Sequence, residues 1–331
     1  MTDFFGFLPP SADGVAASDT WTDTTGSTVT FDGSEWTGGS ASQRLIANSQ
    51  GVWSAAIGGS NRGLSGPALD AVAENDVARV EGPAVWFPGA EGNYLSVPDE
   101  AAFAIAGDIC VVAKITPDAW LPASRSAISG RWSSGGSDRH YRFTLETSGV
   151  LRLYWRDATT TNLHESTVAT GVADGGAQWV AVTLDVDNGA ADAEVKFWLG
   201  GSGAVPVWSQ LGATVLHGST TELNAPSRDL SIGHDTQDLY FPGSIEYSAL
   251  HDGIGANTEP GQGTKVFEVT RYDIARSAPD ATEIATTSGH TLTVGRATSG
   301  PQTLIVPSGA IYVNPDETDS DNRVTTGEGI V

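Results

Sequence analysis

The stretch Trp179-Val180-Ala181-Val182-Thr183-Leu184-Asp185-Val186-Asp187 alternates between an apolar series and a mixed series of side chains. The apolar series starts at Val180 and takes every second residue, so it would lie on one face of an extended chain. Asp187-Asn188-Gly189 then supplies the residue types of a tight turn, and the alternation resumes over residues 194–199. This pattern predicts two antiparallel strands with one buried face.

The same alternation occurs on both sides of a short polar loop closer to the N-terminus. Tyr141–Glu146 and Val150–Arg156 alternate apolar and polar side chains, and Thr147-Ser148-Gly149 separates them. A two-residue loop would pair Leu145 with Arg152, whereas a three-residue loop pairs apolar with apolar residues, so we predict the three-residue loop. The predicted pairs on the buried face are Tyr141 with Trp155, Phe143 with Leu153, and Leu145 with Leu151.

The organisation of the whole chain follows from the same patterns. Residues 84–287 hold about ten alternating segments and almost no helical spacing, which predicts an all-β, two-sheet antiparallel sandwich. Residues 1–83 are rich in Gly, Ser, Thr and Asp, and they predict an irregular N-terminal arm with one short helix over Ala68–Val80. Residues 288–331 predict a small β extension, because Thr291–Val294 and Thr303–Val306 are strand-like.

Composition excludes several classes of partner. The chain has 331 residues and a formal net charge of −23, so nucleic acid and anionic lipid would repel it. No run reaches the roughly 20 apolar residues of a membrane-spanning helix. Met1–Pro10 has an acid where a signal peptide carries positive charge, so we expect synthesis in the cytoplasm without an export signal. The single cysteine, Cys110, allows no internal disulfide and no Cys-based metal site, and we expect it to be buried.

Several segments resemble the strands of laminin-G-like, concanavalin A-like jelly rolls. The opening strands of that family are similar to Val85–Gly89 and Asn93–Asp99, and the strand that follows them is similar to Gly107–Ile115. Further similar segments are Gly175–Asp185, Phe241–Ile245, Val266–Asp273 and Ala281–Ile284. The resemblance covers about 200 of the 331 residues and implies a jelly-roll sandwich, a fold that hosts lectins, glycan hydrolases, adhesion modules and virion proteins.

A sandwich with an irregular N-terminal arm and a small C-terminal extension resembles minor tail proteins of bacteriophages that infect actinobacteria. This resemblance implies a virion protein that is made in the host cytoplasm and attached through residues 1–83. Its partners would be other virion proteins, copies of itself and a host-surface glycan. Two alternatives stay open: a secreted or cell-surface carbohydrate-binding module or glycan hydrolase, and a capsid decoration protein without glycan affinity.

The sequence contains no recognisable catalytic motif. Glycan-cleaving sandwiches of this class place Glu-x-Asp-x-x-Glu or Glu-x-Asp-x-Glu along one strand, so that alternate carboxylates enter one cleft. Glu246 is the nearest candidate, and it lacks a carboxylate two positions further on. We therefore expect a protein that is not an enzyme. The six histidines are scattered, and each is expected to be a surface or hydrogen-bonded residue rather than a base or ligand: His140, His164, His217, His234, His251 and His290.

Calcium is the one cofactor that the sequence leaves open. Hard oxygen ligands suit Ca²⁺, but no cluster has the Asp-x-Asp-x-Asp-Gly spacing of a calcium loop. No cofactor is therefore expected, and calcium stays a hypothesis at two acidic turns. The first turn contains Asp185, Asp187, Asn188 and Asp192, and the second contains Asp235 and Asp238.

The outer face of the predicted hairpin carries the candidate contact site. The predicted register places Arg142 opposite Tyr154 and His140 opposite Arg156, with Arg152 on the same face. Two interpretations stay open: a solvated face whose arginines pair with nearby acids, or an anchor for an anionic glycan or for an acidic neighbouring subunit. Replacement of Arg142, Tyr154 and Arg156 by Ala is expected to leave the fold intact, because none lies on the predicted buried face.

Overall fold

The chain forms two compact units, and the structure, a computed structural model, describes part of each. The first unit contains Met1–Arg79, Gly309–Asp316 and Arg323–Val331, and the second contains Val80–Ser308 and Glu317–Asn322. The described residues are 83–298, with gaps at 236–238 and 256–258, then 302–307, and the strand residues of the two chain ends.

The first unit contains short strands. They are β1 (Thr20–Thr22), β2 (Thr28–Phe31), β3 (Trp36–Gly38), β4 (Gln43–Ala47), β5 (Trp53–Ile57), β6 (Ser60–Arg62) and the first residues of β7 (Ala78–Glu81). β1, β2 and β3 form one antiparallel sheet, and β4, β5 and β6 form another. Residues 68–77 of the predicted helix over Ala68–Val80 lie outside the described residues. The last three residues of that prediction belong to the strand β7. A short apolar run fits both the helical and the extended period, so the sequence did not distinguish them.

A nine-stranded antiparallel sheet forms one layer of the second unit. Its strands are β8 (Ala84–Pro88), β10 (Ile109–Pro117), β15 (Gln178–Asp185), β16 (Glu194–Leu199), β17 (Ser209–Gln210), β18 (Val215–Leu216), β22 (Pro242–Asp252), β23 (Thr264–Val269) and β26 (Leu304–Val306). Their order in space is β17-β16-β15-β10-β22-β8-β26, while β18 pairs with β16 and β23 pairs with β22.

An eight-stranded antiparallel sheet forms the second layer. Its strands are β9 (Tyr94–Val97), β11 (Ser126–Gly130), β12 (Tyr141–Leu145), β13 (Leu151–Arg156), β14 (Thr161–Glu165), β19 (Leu230–Ile232), β24 (Glu283–Ala285) and β25 (Thr291–Gly295). Their order is β14-β13-β12-β11-β19-β9-β25-β24. The second unit also contains β20 (His234–Asp235), which pairs with β21 (Leu239–Tyr240). The remaining strands, β27 (Ala310–Val313) and β28 (Thr325–Thr326), pair with each other and belong to the first unit.

The inward faces of the two large sheets share one apolar core. Val111 and Val182 of the nine-stranded sheet and Phe143 and Leu153 of the eight-stranded sheet belong to it, and all four are fully buried. Each such side chain contributes about 1.5–3 kcal/mol relative to its exposed state. Two antiparallel sheets with this non-sequential strand order form a jelly-roll sandwich, which confirms the predicted fold class.

The predicted hairpin register is confirmed. β12 and β13 pair Tyr141 with Trp155 and Leu145 with Leu151, as the alternation requires. The loop is three residues long, since the N–H of Glu146 donates to the carbonyl oxygen of Val150 at 2.9 Å. Gly149 has a φ of +76°, a conformation that glycine adopts more readily than other residues and that three-residue hairpin loops use.

The two strand-like runs near the C-terminus are part of the sandwich. β25 pairs with β9 in the eight-stranded sheet, and β26 pairs with β8 in the nine-stranded sheet. Ile305 in β26 is buried in the common core. The structure therefore extends the sandwich beyond residue 287, while the wider division of the chain at residues 83 and 287 stays a prediction.

The outer face of the nine-stranded sheet differs from the expected solvated face. It carries a second buried apolar cluster, which we call the tryptophan face: Cys110, Val112, Trp179, Ala181, Trp198, Ala249 and Ile254. The segment after β16 covers part of it, because the Trp179 indole N–H donates to the carbonyl oxygen of Gly203 at 2.8 Å. Burial raises the pKa of the Cys110 thiol to about 12, so this cysteine is a protonated packing residue, as its apolar surroundings predicted.

Helical structure is sparse in the described residues. It consists of α1 (Arg271–Ala275) and two single 3₁₀ turns, Ala101–Phe103 and Gly136–Asp138. α1 begins with a capping box between Thr270 and Asp273. Within the described part of the chain, no helix has the length and apolar character that crossing a bilayer requires.

Candidate functional site

Arg142 lies at the centre of the outer face of β12 and β13. Its Nη1 donates to Asp235 Oδ2 at 2.6 Å, and only 3% of the arginine and 2% of the aspartate are exposed. The guanidinium carbon is 4.8 Å from the ring centroid of Trp132 and 4.2 Å from that of Tyr154. A guanidinium held between two aromatic faces and a carboxylate is both a cation–π contact and a buried ion pair.

This geometry overturns the expectation of a solvated hairpin face. Trp132, in the segment between β11 and β12, covers Arg142 and Tyr154, and Tyr154 is 6% exposed. The arginines do pair with acids, but Arg142 does so in a buried setting. Arg142 and Tyr154 lie on the outer face, as predicted, but they are buried there, so each change to Ala removes a buried contact. That the fold survives these changes stays a prediction.

A second group on this face balances its own charges. Arg152 pairs with Glu146 at 3.0 Å and with Glu165, and it also donates to the Tyr154 hydroxyl. Arg125 pairs with Glu146 at 2.9 Å. Two arginines and two glutamates make this group neutral, because each guanidinium is paired with a carboxylate of the chain. Together with the Arg142 pair it has little capacity left for an external anion.

The end of the face beyond Arg142 is different. Arg139 and Arg156 both donate through Nη1 to the Thr161 hydroxyl oxygen, each at 3.3 Å. Within the described residues, no carboxylate lies within ion-pair distance of either guanidinium, and Arg156 Nε has no hydrogen-bond partner. The Arg139 guanidinium also lies 5.1 Å from the centroid of the Trp132 ring. We call Trp132, Arg139, Arg156 and Thr161 the arginine–tryptophan site.

Positive charge accumulates at the arginine–tryptophan site. Burial, together with the nearby charges of Arg142 and Arg156, lowers the pKa of Arg139 from its ordinary value, while Asp235 opposes the effect. Repulsion from Arg142 and Arg156 thus adds to the larger effect of burial on the pKa of Arg139. A bound anion would relieve that repulsion.

The segment that carries Trp132 and Arg139 is anchored at its base by Arg131. Arg131 is fully buried, and its guanidinium donates to the carbonyl oxygens of Arg228 at 2.9 Å and Pro226 at 2.8 Å. The Asn224 amide donates to the carbonyl oxygens of Ser137 at 2.7 Å and Arg139 at 3.1 Å. These bonds fix the site before any ligand arrives, which lowers the entropic cost of binding.

His140 is not part of the contact face, although strand alternation predicted it there, opposite Arg156. The residue is fully buried, and its Nε2–H donates to the Ile105 carbonyl oxygen at 2.8 Å. Its Nδ1 then accepts from Arg131 at 3.3 Å. Burial and the charge of Arg131 lower the pKa of His140 to about 3, so the ring is neutral at pH 7. It precedes β12 and turns inward, so strand alternation did not predict its direction.

The acidic turns considered for calcium use their oxygens internally. Asp187 Oδ1 accepts from the Gly189 N–H at 3.1 Å, and Asp192 Oδ1 accepts from the Gly218 N–H at 2.6 Å. Asp235 binds Arg142, and Asp238 lies outside the described residues. Among the described residues, no three His, Cys, Asp or Glu side chains are grouped to hold a metal ion. Asp185 and Asn188 likewise accept backbone N–H bonds within their own turn.

Glu246, the nearest candidate for a catalytic carboxylate, lies on the outer side of β22. It is 6% exposed, and its carboxylate is 2.9 Å from Lys114 Nζ and 3.4 Å from Arg271 Nε. Two cations therefore hold it as a structural ion pair. The expectation that the chain is not an enzyme stays a prediction.

Sequence reasoning missed Trp132, Arg139 and Thr161. Trp132 and Arg139 lie between strands, where no periodicity reveals which way a side chain points. Thr161 starts the edge strand β14, and only the pairing of Arg156 with Thr161 brings it to the site. A cluster of Arg and Trp within a few residues, as at 131, 132 and 139, was the one available signal.

The strand order and the two buried layers define a concanavalin A-like jelly-roll sandwich. No protein-family model matches the chain, and no curated protein matches it. Solved structures give the remaining comparisons.

Three solved structures illustrate the likeness. A native heptameric SAP-like pentraxin from Limulus polyphemus is 11% identical, with 64% of this chain and 94% of that chain covered and a TM-score of 0.35. The Ruminococcus gnavus IT-sialidase CBM40 bound to α2,3 sialyllactose is 17% identical, with 54% and 94% covered and a TM-score of 0.34. The botulinum neurotoxin serotype D binding domain is 10% identical, with 83% and 78% covered and a TM-score of 0.24. We draw no functional argument from likenesses at this level.

Proposed function

We propose that the second unit is a non-enzymatic carbohydrate-binding sandwich that recognises an anionic glycan at the arginine–tryptophan site. The observation that carries this proposal is the state of Arg139 and Arg156. Both guanidiniums lack a carboxylate partner within the described residues, although the chain has a net charge of −23. Acidic residues are abundant elsewhere in the chain, so two neighbouring arginines without a carboxylate partner favour a role in binding an anion.

The donors of the site suit a carboxylate on a sugar. A guanidinium presents paired N–H groups in a planar fork that matches the two oxygens of a carboxylate. Thr161 Oγ1 accepts from both arginines, which leaves its O–H to donate to a sugar oxygen. Trp132 holds Arg139 in place from one side. These groups would fix an anionic sugar in one orientation.

The binding proposal can be tested with a matched pair of ligands. α2,3-Sialyllactose and lactose differ by one carboxylate-bearing sugar, so calorimetric titration of the purified chain with both isolates the anionic group. We expect sialyllactose to bind and lactose to bind at least about tenfold more weakly, which corresponds to about 1.4 kcal/mol. A screen of uronic-acid and sulfated oligosaccharides extends the test to other anionic glycans.

The contribution of Arg139 and Arg156 to binding is tested with two double variants that have the same net charge. Arg139→Ala/Arg156→Ala should reduce binding at least about tenfold, because it removes the charged donors. Lys265→Ala/Arg276→Ala removes the same charge at two exposed cations, on β23 and directly after α1, and should bind like the wild type. Equal binding by all three proteins would contradict the proposal, as would a wild-type chain that binds no anionic glycan in the screen.

For the biological setting we propose a virion structural protein, a bacteriophage minor tail protein that displays this sandwich towards the host surface. The resemblance of the chain's organisation to such proteins supports this setting, and its negative charge suits a displayed, soluble part. Other virion proteins and copies of the chain would be its assembly partners.

The setting is tested by mass spectrometry of purified virions and by the identity of neighbouring genes. Detection of the chain in particles, next to tail genes, is the expected result. A chain that is absent from particles but present in culture medium would support the secreted module, and sugar release in a hydrolase screen would support the glycan hydrolase. A chain in particles that binds no glycan would support the decoration protein.

A further inference from the structure

Two histidines meet where the two large sheets approach each other at one edge of the sandwich. His164 belongs to β14, the edge strand of the eight-stranded sheet, and His217 follows directly after β18 of the nine-stranded sheet. His164 Nε2 and His217 Nδ1 are 3.3 Å apart. The pair therefore joins an edge strand of one sheet to a segment that follows an edge strand of the other.

The imidazoles lie over a buried indole. The ring centroid of Trp155 is 5.4 Å from that of His164 and 5.2 Å from that of His217. The Trp155 N–H donates to Thr221 Oγ1 at 3.1 Å, so the ring beneath the pair is fixed. Both histidines are partly exposed, and an ion from solvent can therefore reach them.

The distance between the two nitrogens is that of a pair of metal ligands. Two nitrogens bound at about 2.0–2.1 Å to one tetrahedral Zn²⁺ lie about 3.3–3.4 Å apart. In the hydrogen-bonded pair one ring donates a proton to the other, and a metal ion would replace that proton. We propose that His164 and His217 bind a divalent transition-metal ion such as Zn²⁺, which joins the two sheets at this edge.

Asp192 is the natural third ligand. Its Oδ1 accepts from the N–H of Gly218, the residue after His217. Among the described residues no third ligand is already in place, so Asp192 would turn towards the ion and water would complete the tetrahedron.

Sequence reasoning assigned these histidines to ordinary surface or hydrogen-bonded positions. They are separated by 53 positions, and no short motif connects them. Only the approach of β14 to the segment after β18 brings them together.

The experiment uses the full chain, freed of metal by a chelator and titrated with ZnCl₂ in a calorimeter. We expect one Zn²⁺ per chain and a rise in the thermal unfolding temperature with added Zn²⁺, because the ion binds the folded state. His164→Ala or His217→Ala should weaken Zn²⁺ binding by at least about 100-fold, because each removes a metal ligand. Changes to groups that only orient a metal ligand weaken binding by up to about 100-fold. Asp192→Asn should weaken it by about tenfold.

Leu163→Ala is the matched control, since this neighbour on β14 is exposed and has no metal-binding atom. It should bind Zn²⁺ like the wild type. If an Ala variant does not fold, His164→Gln/His217→Gln keeps polar side chains of similar size and serves instead. A wild-type chain that binds no Zn²⁺, or variants that bind it as tightly as the wild type, would overturn the proposal.

Discussion

The outer faces of the two sheets are both covered by loop segments, yet they are built from opposite chemistry. On the eight-stranded sheet the arginine face, formed by Arg142, Arg152, Tyr154 and Arg156, buries cations against aromatic rings and carboxylates. On the nine-stranded sheet the tryptophan face buries an apolar cluster. The nine-stranded sheet therefore has two apolar faces, and the eight-stranded sheet has one.

The difference shows where the molecule can recognise a ligand. On the tryptophan face the indole donors are satisfied within the chain, since Trp179 donates to Gly203 and Trp198 donates to Thr183 Oγ1 at 3.2 Å. On the arginine face most charges are also paired, but Arg139 and Arg156 meet only a hydroxyl and backbone carbonyls among the described residues. Stability alone explains the first face, whereas the second has two cations without a carboxylate partner among the described residues.

The largest effect should come from breaking the buried pair on the arginine face. Arg142→Ala leaves the Asp235 carboxylate, which is 2% exposed, without its cation, so we expect a loss of about 3–5 kcal/mol in the free energy of unfolding. Urea denaturation measures it, with Lys265→Ala, which changes a more exposed ion pair with Glu268, as control. A loss below about 1 kcal/mol, typical of a surface pair, would show that this face is solvated after all.

A smaller effect should appear on acidification, through the base of the same face. His140 has a folded pKa of about 3 against an ordinary 6.5, so between these values the unfolded chain binds more protons. The contribution of His140 is therefore complete above about pH 6.5 and is lost as the pH falls, by roughly 2–3 kcal/mol at pH 4.5.

The matched variant is His140→Gln, which keeps a hydrogen-bonding side chain and cannot titrate. Urea denaturation at pH 7 and pH 4.5 should show a steeper loss in the wild type than in the variant. His251 has its pKa lowered in the same direction by burial, and it is present in both proteins. Parallel losses in the two proteins would mean that His140 is charged in the folded state.

The smallest effect on stability should come from the tryptophan face. Trp198→Phe keeps most of the apolar volume but removes the hydrogen bond to Thr183, so we expect a loss of about 1–2 kcal/mol. The same variant should bind α2,3-sialyllactose like the wild type. A variant that folds and has lost the ligand would place recognition on the tryptophan face.

The comparison also explains what the sequence could predict. Strand alternation predicted the inward faces and the pairing of β12 with β13, because period and loop length together allow one register. It did not predict that both outer faces are covered. The segments that cover them, around Trp132 and Gly203, have no period, and their positions depend on long-range hydrogen bonds such as that from Asn224 to Ser137.

The candidate site was predicted in part for the same reason. Arg142, Arg152, Tyr154 and Arg156 lie on one face because they belong to paired strands. Arg139 and Trp132 come from a loop, so strand alternation did not predict that they belong to the site. His140 turns inward directly before β12, so alternation did not predict that it leaves the site. Strand residues were predictable from local chemistry, and loop residues were not.

The most direct test of the account is an NMR titration of the ¹⁵N-labelled chain with α2,3-sialyllactose, observed at the indole N–H signals. The chain has ten tryptophans, and single Trp→Phe variants assign the signals of Trp132, Trp179 and Trp198. The account predicts that the Trp132 signal shifts with ligand concentration while the signals of Trp179 and Trp198 stay in place. Shifts at Trp179 and Trp198 with none at Trp132 would contradict it.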